Sequence, residues 1–221
     1  MLGDPSKAEE AFRFVLSKKP AAQPAKVGLG RALTAQGSFD EADKALKEAV
    51  AADPKDAAAK RALGELLIVR NDLPAADKVL EEAWKAAPGD VFTARAMVEA
   101  RMKADEGDKA LVIAQRVIKA DAKHPMGPFL QGLALEKMKK DDEAIKAYEK
   151  AIALDDKFLD AHKNLAILCH TRNPTYADRE RTAKAMKHYA RYFELGGADE
   201  SLKQMYDQLK GFFDAGGATG K

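Results

Sequence analysis

Three side chains in the C-terminal half of the sequence have the chemistry to bind a metal ion or act as a nucleophile. His162, Cys169 and His170 lie close together along the chain, and imidazole and thiolate groups are the usual ligands of zinc. On one helix, His162 and Cys169 share a face, whereas His170 is rotated away by about a hundred degrees. The spacing therefore favours a buried structural thiol at Cys169 over a metal site.

Other candidates for chemistry are weaker. The run Asp141-Asp142-Glu143 is typical of a helix start, where carboxylates favour the positive end of the helix dipole. A calcium loop would need alternating oxygen ligands, which are absent there. The sequence contains no phosphate-binding glycine loop, nucleophile elbow or metalloprotease histidine pair. We therefore predict no catalytic residue, no metal site and no cofactor, and we expect the chain not to be an enzyme.

Composition and charge exclude further classes of function. The 37 basic and 35 acidic residues nearly balance, whereas a nucleic-acid-binding surface needs an excess of positive charge. One cysteine cannot form an intrachain disulfide, and no apolar stretch approaches the roughly 20 residues of a membrane span. We expect no nucleic-acid partner and no direct membrane insertion. A cytoplasmic location is favoured, and a removed signal peptide or anchor is the alternative if the chain is a truncated piece.

Any binding residues must be positioned by helices, because the sequence is rich in alanine, lysine and glutamate. An internal repeat defines these helices. A small residue recurs every 34 positions, at Ala8, Ala42, Ala76, Ala110 and Ala144. Apolar residues follow it four, seven and eight positions later, which is the stripe of one helix face. We name this element helix B of each repeat.

A second signature lies upstream and predicts a helix A. Four of its five pairs end in a small residue that would let helix B approach closely: Leu29-Gly30, Leu63-Gly64, Met97-Val98, Gln131-Gly132 and Leu165-Ala166, with Val98 the exception. Pro20, Pro54 and Pro88 end the first three repeats, since proline cannot continue a helix. Together these patterns resemble the tetratricopeptide-repeat family. The resemblance implies an all-α, right-handed superhelical solenoid of antiparallel helix pairs, whose A helices line a concave binding surface.

The repeat predicts the organisation of the chain. Residues 1–20 form a half repeat with helix B only, and residues 23–158 form four full repeats. Residues 159–195 form an irregular fifth pair with an insertion near 173–182, in which Thr175 and Asp178 make a capping pattern and helix B begins near Tyr176. A capping helix follows at 198–214, and residues 215–221 form a flexible tail.

The N-terminal half repeat carries an unusual aromatic residue. Phe14 stands where the other repeats have Glu48, Glu82, Arg116 and Lys150. Phe12 and Phe14 are therefore candidates for a homo-oligomer edge. Two alternatives stay open, a singly exposed aromatic side chain or a chain excised from a longer protein.

The resemblance also projects a binding groove onto the A helices. Arg61 and Glu65 occupy the same repeat positions as Arg95 and Glu99, and an apolar patch lies beside them. The predicted groove residues are Arg31, Arg61, Glu65, Phe92, Arg95, Glu99, Met102, Met126, Phe129 and Lys163. This groove would suit an amphipathic helix or an extended peptide with carboxylates. The alternative is that each Arg–Glu pair is a solvated salt bridge between residues one turn apart.

The resemblance does not extend to the carboxylate clamp of chaperone-binding family members, since no repeat has the required Lys and Asn at its fifth and ninth positions. The predicted function is a protein- or peptide-binding scaffold that mediates complex assembly through this groove. A self-assembling structural array and a regulatory segment of a larger enzyme are the alternatives. The sequence does not identify the partner.

Overall fold

The computed structural model describes residues 4–173 and 178–212, and over these residues it contains twelve α-helices and no strand. The chain is an all-α helical repeat solenoid, as predicted, in which consecutive helices pack in pairs. The helices are α1 (Pro5–Lys18), α2 (Gln23–Gln36), α3 (Phe39–Ala52), α4 (Ala57–Val69), α5 (Leu73–Ala86), α6 (Val91–Lys103), α7 (Gly107–Ala120), α8 (Met126–Lys137), α9 (Asp141–Leu154), α10 (Leu159–Thr171), α11 (Arg179–Glu194) and α12 (Glu200–Phe212). None of these helices is both long and apolar enough to cross a bilayer.

The turn between helix A and helix B has the same backbone conformation in four successive repeats. A left-handed residue occurs every 34 positions, at Gly37, Asn71, Asp105 and Lys139, with φ of 81°, 62°, 61° and 58°. Glycine, asparagine and aspartate are the residues that adopt this conformation most readily, whereas Lys139 carries a steric cost. The period seen in the sequence is thus also a period of the backbone.

The small residue of helix A allows close packing of the pair, as the sequence predicts. A Cβ added at Gly30 would overlap Leu46, one at Gly64 would overlap Leu80, and one at Gly132 would overlap Tyr148. The side chains of helix B therefore fill the space left by glycine. This contact fixes the distance between the two helices of these repeats.

The chain divides into two compact units, Met1–Ile113 and Ala114–Lys221. The core of the first unit contains leucines and alanines of α2, α3 and α4, among them Leu33, Leu46 and Leu66. The core of the second unit contains larger side chains, including Phe129, Tyr148, Leu165 and Tyr189.

The last helix pair differs from the prediction at one end. Helix α11 begins at Arg179, three residues after the predicted start, and Asp178 caps it by accepting a hydrogen bond from the backbone of Arg181. Asn173 holds this start in place, because its buried amide donates to Thr182 Oγ1 at 2.7 Å and to the Asp178 carbonyl at 2.7 Å. Thr175, Tyr176, residues 213–214 of the capping helix and the predicted tail 215–221 lie outside the described residues. The division into half repeat, full repeats and cap stays a prediction.

Candidate functional site

His162, His170, His188 and Cys169 are all buried in the second compact unit. Cys169 is fully buried, as predicted, and burial raises the pKa of its thiol to about 11. His162 Nδ1 lies 2.8 Å from His188 Nδ1, and His162 Nε2 lies 3.1 Å from the Asp156 carbonyl. His162 therefore donates to the carbonyl and accepts a hydrogen bond from His188.

The three buried histidines favour their neutral form. Burial lowers the pKa of His162 and of His170, and it lowers the pKa of His188 to about 4, with a smaller contribution from His162. Within residues 4–173 and 178–212, no three side chains of the His, Cys, Asp or Glu types converge as metal ligands would. The partner of His162 is His188 on the next helix, which the sequence pattern did not indicate.

A surface cleft of about 490 Å³ lies across α2, α4 and α6 of the first compact unit. It contains four of the predicted groove residues, and its lining is Arg31, Thr34, Ala35, Arg61, Ala62, Glu65 and Phe92. We call it the Arg–Phe cleft. Phe92 is 60% exposed, so more than half of its surface is available for contact.

Arg61 is held by three neighbours in this cleft. Its Nη1 donates to Asp90 Oδ2 at 2.6 Å, and its guanidinium carbon lies 5.3 Å from the centre of the Phe92 ring. Its Nε lies 3.6 Å from Glu65 Oε1, too far for a hydrogen bond. Because its side chain is only 15% exposed, Arg61 is not a freely exposed cation.

Asp90 was not among the predicted residues, yet it organises one side of the cleft. It caps α6 by accepting hydrogen bonds from the backbone of Phe92 and Thr93, and it also accepts from Thr93 Oγ1 at 2.6 Å. Burial alone would raise its pKa, but the hydrogen bonds from Thr93 and the charge of Arg61 hold that pKa below its usual value. An aspartate before the first residue of a helix is a sequence signal for a cap, although its pairing with Arg61 is not visible in the sequence.

Glu65 links two repeats at the centre of the cleft. Arg31 Nη2 donates to Glu65 Oε2 at 3.2 Å, and both side chains are about 40% exposed. Partial burial raises the pKa of Glu65, and the nearby charge of Glu99 raises it further. The charges of Arg31 and Arg61 lower this pKa, but by less. Arg31 stands at the repeat position of Glu65, so this bridge joins equivalent positions of two repeats and adds to the pairing of Arg61 with Glu65 within one helix.

The other predicted groove residues do not line the Arg–Phe cleft. Arg95 and Glu99 are exposed on α6, and Met102 is half-buried near its end. Lys163 lies on α10 in the second compact unit, with its Nζ 3.6 Å from Asp199 Oδ2.

The two residues of the candidate oligomer edge lie on α1. Phe12 is half-buried, and its ring fills the position that a Cβ of Gly28 would take. Phe14 is 65% exposed, and Lys18 Nζ lies 5.8 Å from the centre of its ring. The oligomer edge stays a hypothesis.

Met126 and Phe129 are buried, with 7% and 2% exposure. Phe129 packs against Phe158 at 5.0 Å and Tyr148 at 5.9 Å between ring centres. Helix A of this repeat thus directs its aromatic side chain into the core, and the apolar patch expected around Phe129 is not a surface available to a partner.

Comparison with known proteins gives the same fold. A tetratricopeptide-repeat family model matches residues 1–66 and 33–98, and a second model of the same repeat matches residues 129–158. No curated protein sequence matches the chain.

Several solved structures of repeat proteins are similar to this one. A thermophilic tetratricopeptide-repeat protein of Thermus thermophilus has a TM-score of 0.68 at 20% identity, over 85% of this chain and 98% of that one. PilF of Pseudomonas aeruginosa has a TM-score of 0.67 at 19% identity, over 87% and 85%. YrrB, described as a tetratricopeptide-repeat protein with an unusual peptide-binding site, has a TM-score of 0.52 at 19% identity, over 91% and 100%.

At these identities the similarity shows the fold alone, and fold does not determine the ligand. Proteins of this fold are in general non-catalytic scaffolds that bind protein or peptide partners. The 34-residue period, the glycine contacts between paired helices and the matching repeat models agree with one another. On this evidence the chain belongs to the tetratricopeptide-repeat family.

Proposed function

We propose that this protein is a scaffold that binds a peptide or protein segment in the Arg–Phe cleft and thereby brings that partner into a complex. The observation that carries the proposal is the lining of the cleft, which combines the exposed ring of Phe92 with the partly exposed guanidinium of Arg31. Aromatic and arginine side chains contribute most of the binding energy in typical protein interfaces.

The charges of the cleft restrict the ligand. Arg61 is paired with Asp90, whereas Arg31 is 43% exposed and is bridged to Glu65. A ligand carboxylate would therefore approach Arg31, where it competes with Glu65. An apolar side chain two or three residues along the same peptide would cover Phe92. The preferred ligand is a short segment with an acidic residue near a large apolar one.

A displayed peptide library selected on the purified chain tests this proposal, because such a selection does not require the partner to be identified. We expect the enriched peptides to share this acidic and apolar pattern. Their binding, measured by fluorescence anisotropy, should weaken at least tenfold in Arg31→Glu and in Phe92→Ser. Arg61→Glu is a poor probe, because it would place a third carboxylate next to Asp90 and Glu65.

The matched control is Val112→Ser, which removes an apolar side chain that is 56% exposed on α7 and does not line the cleft. Circular dichroism should show unchanged helicity in all three variants. Peptides that bind Phe92→Ser and Val112→Ser equally well would exclude the Arg–Phe cleft as the binding site.

A further inference from the structure

Glu65 occupies the guanidinium that a ligand carboxylate would need. Its Oε2 accepts a hydrogen bond from Arg31 Nη2 at 3.2 Å, and its Oε1 lies 3.6 Å from Arg61 Nε. Each carboxylate oxygen of Glu65 thus lies near one arginine, and Glu65 itself lines the Arg–Phe cleft. A ligand carboxylate that approaches Arg31 therefore meets a carboxylate already in place.

The repeat places Glu65 between neighbours of opposite charge. Arg31, Glu65 and Glu99 are spaced 34 residues apart and stand at the same position of α2, α4 and α6. Helix α4 contacts α2 on one side and α6 on the other. An attraction from Arg31 is therefore opposed by a repulsion from Glu99, whose charge reaches Glu65.

The charges around the cleft balance before any ligand binds. The cleft, the equivalent positions of α6 and the cap of that helix together hold three arginines and three carboxylates: Arg31, Arg61, Arg95, Glu65, Glu99 and Asp90. On α3, Asp40 pairs with Arg70, and on α5, Glu82 pairs with Lys60, so these two carboxylates are engaged away from Glu65. A ligand carboxylate would add one unbalanced negative charge, and uptake of one proton would remove it.

Glu65 is the carboxylate best suited to accept this proton. Partial burial raises its pKa above the ordinary value, and the charge of Glu99 raises it further. Burial would raise the pKa of Asp90 too, but the hydrogen bonds from Thr93 and the charge of Arg61 hold that pKa below its usual value. A ligand carboxylate beside Arg31 would bring another like charge close to Glu65 and raise the pKa of Glu65 again.

We propose that Glu65 is an internal competitor for the ligand carboxylate, and that the cleft takes up a proton on Glu65 when an acidic segment binds Arg31. This inference rests on the proposed function and adds the regulation of the same site. Because binding and proton uptake are linked, each strengthens the other. An acidic segment is therefore held more tightly as the pH falls from about 7.5 to about 5.5, where the carboxylates of a free peptide are still mainly ionised.

The probe is the acidic peptide most enriched in the display selection, together with the same peptide carrying an amide in place of the acid. In fluorescence anisotropy at pH 7.5, Glu65→Gln should bind the acidic peptide about threefold to fivefold more tightly than the natural chain, which is the size of a partly exposed ion pair. The amide peptide should bind the two chains equally. The matched control is Glu48→Gln, which makes the same change of charge at an exposed residue of α3 outside the cleft and should leave both affinities unchanged.

A pH series gives a second readout. Between pH 7.5 and 5.5 the acidic peptide should bind the natural chain increasingly tightly, whereas its affinity for Glu65→Gln should stay constant. Residues 1–113 contain no histidine, so no imidazole of the first compact unit titrates in this range. Calorimetry at pH 6 in MES and in Bis-Tris buffers should report proton uptake on binding by the natural chain and none by Glu65→Gln.

The outcomes separate this inference from the proposed function. Peptides that lose affinity in Phe92→Ser but bind Glu65→Gln and Glu48→Gln equally would overturn the inference and leave the proposed function standing. The same pH dependence in the natural chain and in Glu65→Gln would overturn it as well. A selection that yields no peptide dependent on Phe92 would overturn both.

Discussion

The buried histidine pair should make the second compact unit sensitive to acid. His162 and His188 share one hydrogen bond between their Nδ1 atoms at 2.8 Å, and this arrangement requires the accepting ring of His162 to be neutral. Burial lowers the pKa of His188 from 6.5 to about 4, and nearby Lys187 and Lys184 act in the same direction. Protonation of His188 therefore costs more free energy in the folded protein than in the unfolded chain.

The sign and the size of the effect follow from these values. The unfolded chain takes up the proton first, near pH 6.5, so the stabilisation is complete above that pH and is lost as the pH falls towards 4. A difference of about 2.5 pH units corresponds to about 3 kcal/mol at the lower end of this range. The pKa of His162 and that of His170 are also lowered from 6.5, so these two histidines add to the loss of stability below that pH.

Urea unfolding followed by circular dichroism at pH 7, 6, 5 and 4.5 measures this loss. The variant His188→Gln should be less stable than the natural chain at pH 7, and the difference should narrow as the pH falls. Leu202→Ala is the control, because it weakens the same unit by removing a side chain that is 5% exposed and that does not titrate. Equal pH dependence in His188→Gln and in the natural chain would refute the reasoning.

Three further predictions concern stability. Lys139→Gly should stabilise the chain by about 1 kcal/mol, since it removes a side chain from a left-handed backbone position; a lower thermal midpoint would contradict this. Gly64→Ala should cost about 1–3 kcal/mol through overlap with helix B, whereas Gly211→Ala, where nothing lies nearby, should be neutral or slightly stabilising in the same melts. Phe129→Ala should lower the free energy of unfolding by about 3–5 kcal/mol, and Phe92→Ala should lower it by less than about 0.5 kcal/mol, because only Phe129 is buried. Similar losses for the two variants in urea titrations would contradict this difference in burial.

The predicted groove residues differ in where the structure places them. Arg31, Arg61, Glu65 and Phe92 were predicted from repeat position alone, and they line one cleft. Phe129 occupies the same kind of position, yet its ring lies in the core between Tyr148 and Phe158. A repeat register gives the approximate direction of a side chain, but the bulk of its neighbours decides whether it is covered.

The fold could be predicted from the sequence because the pattern of each repeat depends only on that repeat and its neighbours. Small residues every 34 positions and the stripe of apolar residues after each specify the helices, and Gly30 and Gly64 specify how closely two of the pairs approach. Each of these constraints acts between neighbouring segments, so no distant contact is needed to predict it. The same period recurs in the backbone of the turns, from Gly37 to Lys139.

Only the tertiary structure decided how charges and rings are partnered. It paired Arg61 with Asp90 and His162 with His188, and it bridged Arg31 to Glu65 of the next repeat. These outcomes depend on distances of a few ångströms between side chains on different helices, which the repeat pattern does not specify. The sequence therefore determined the scaffold, whereas the packing of its side chains determined which surfaces are left for a partner.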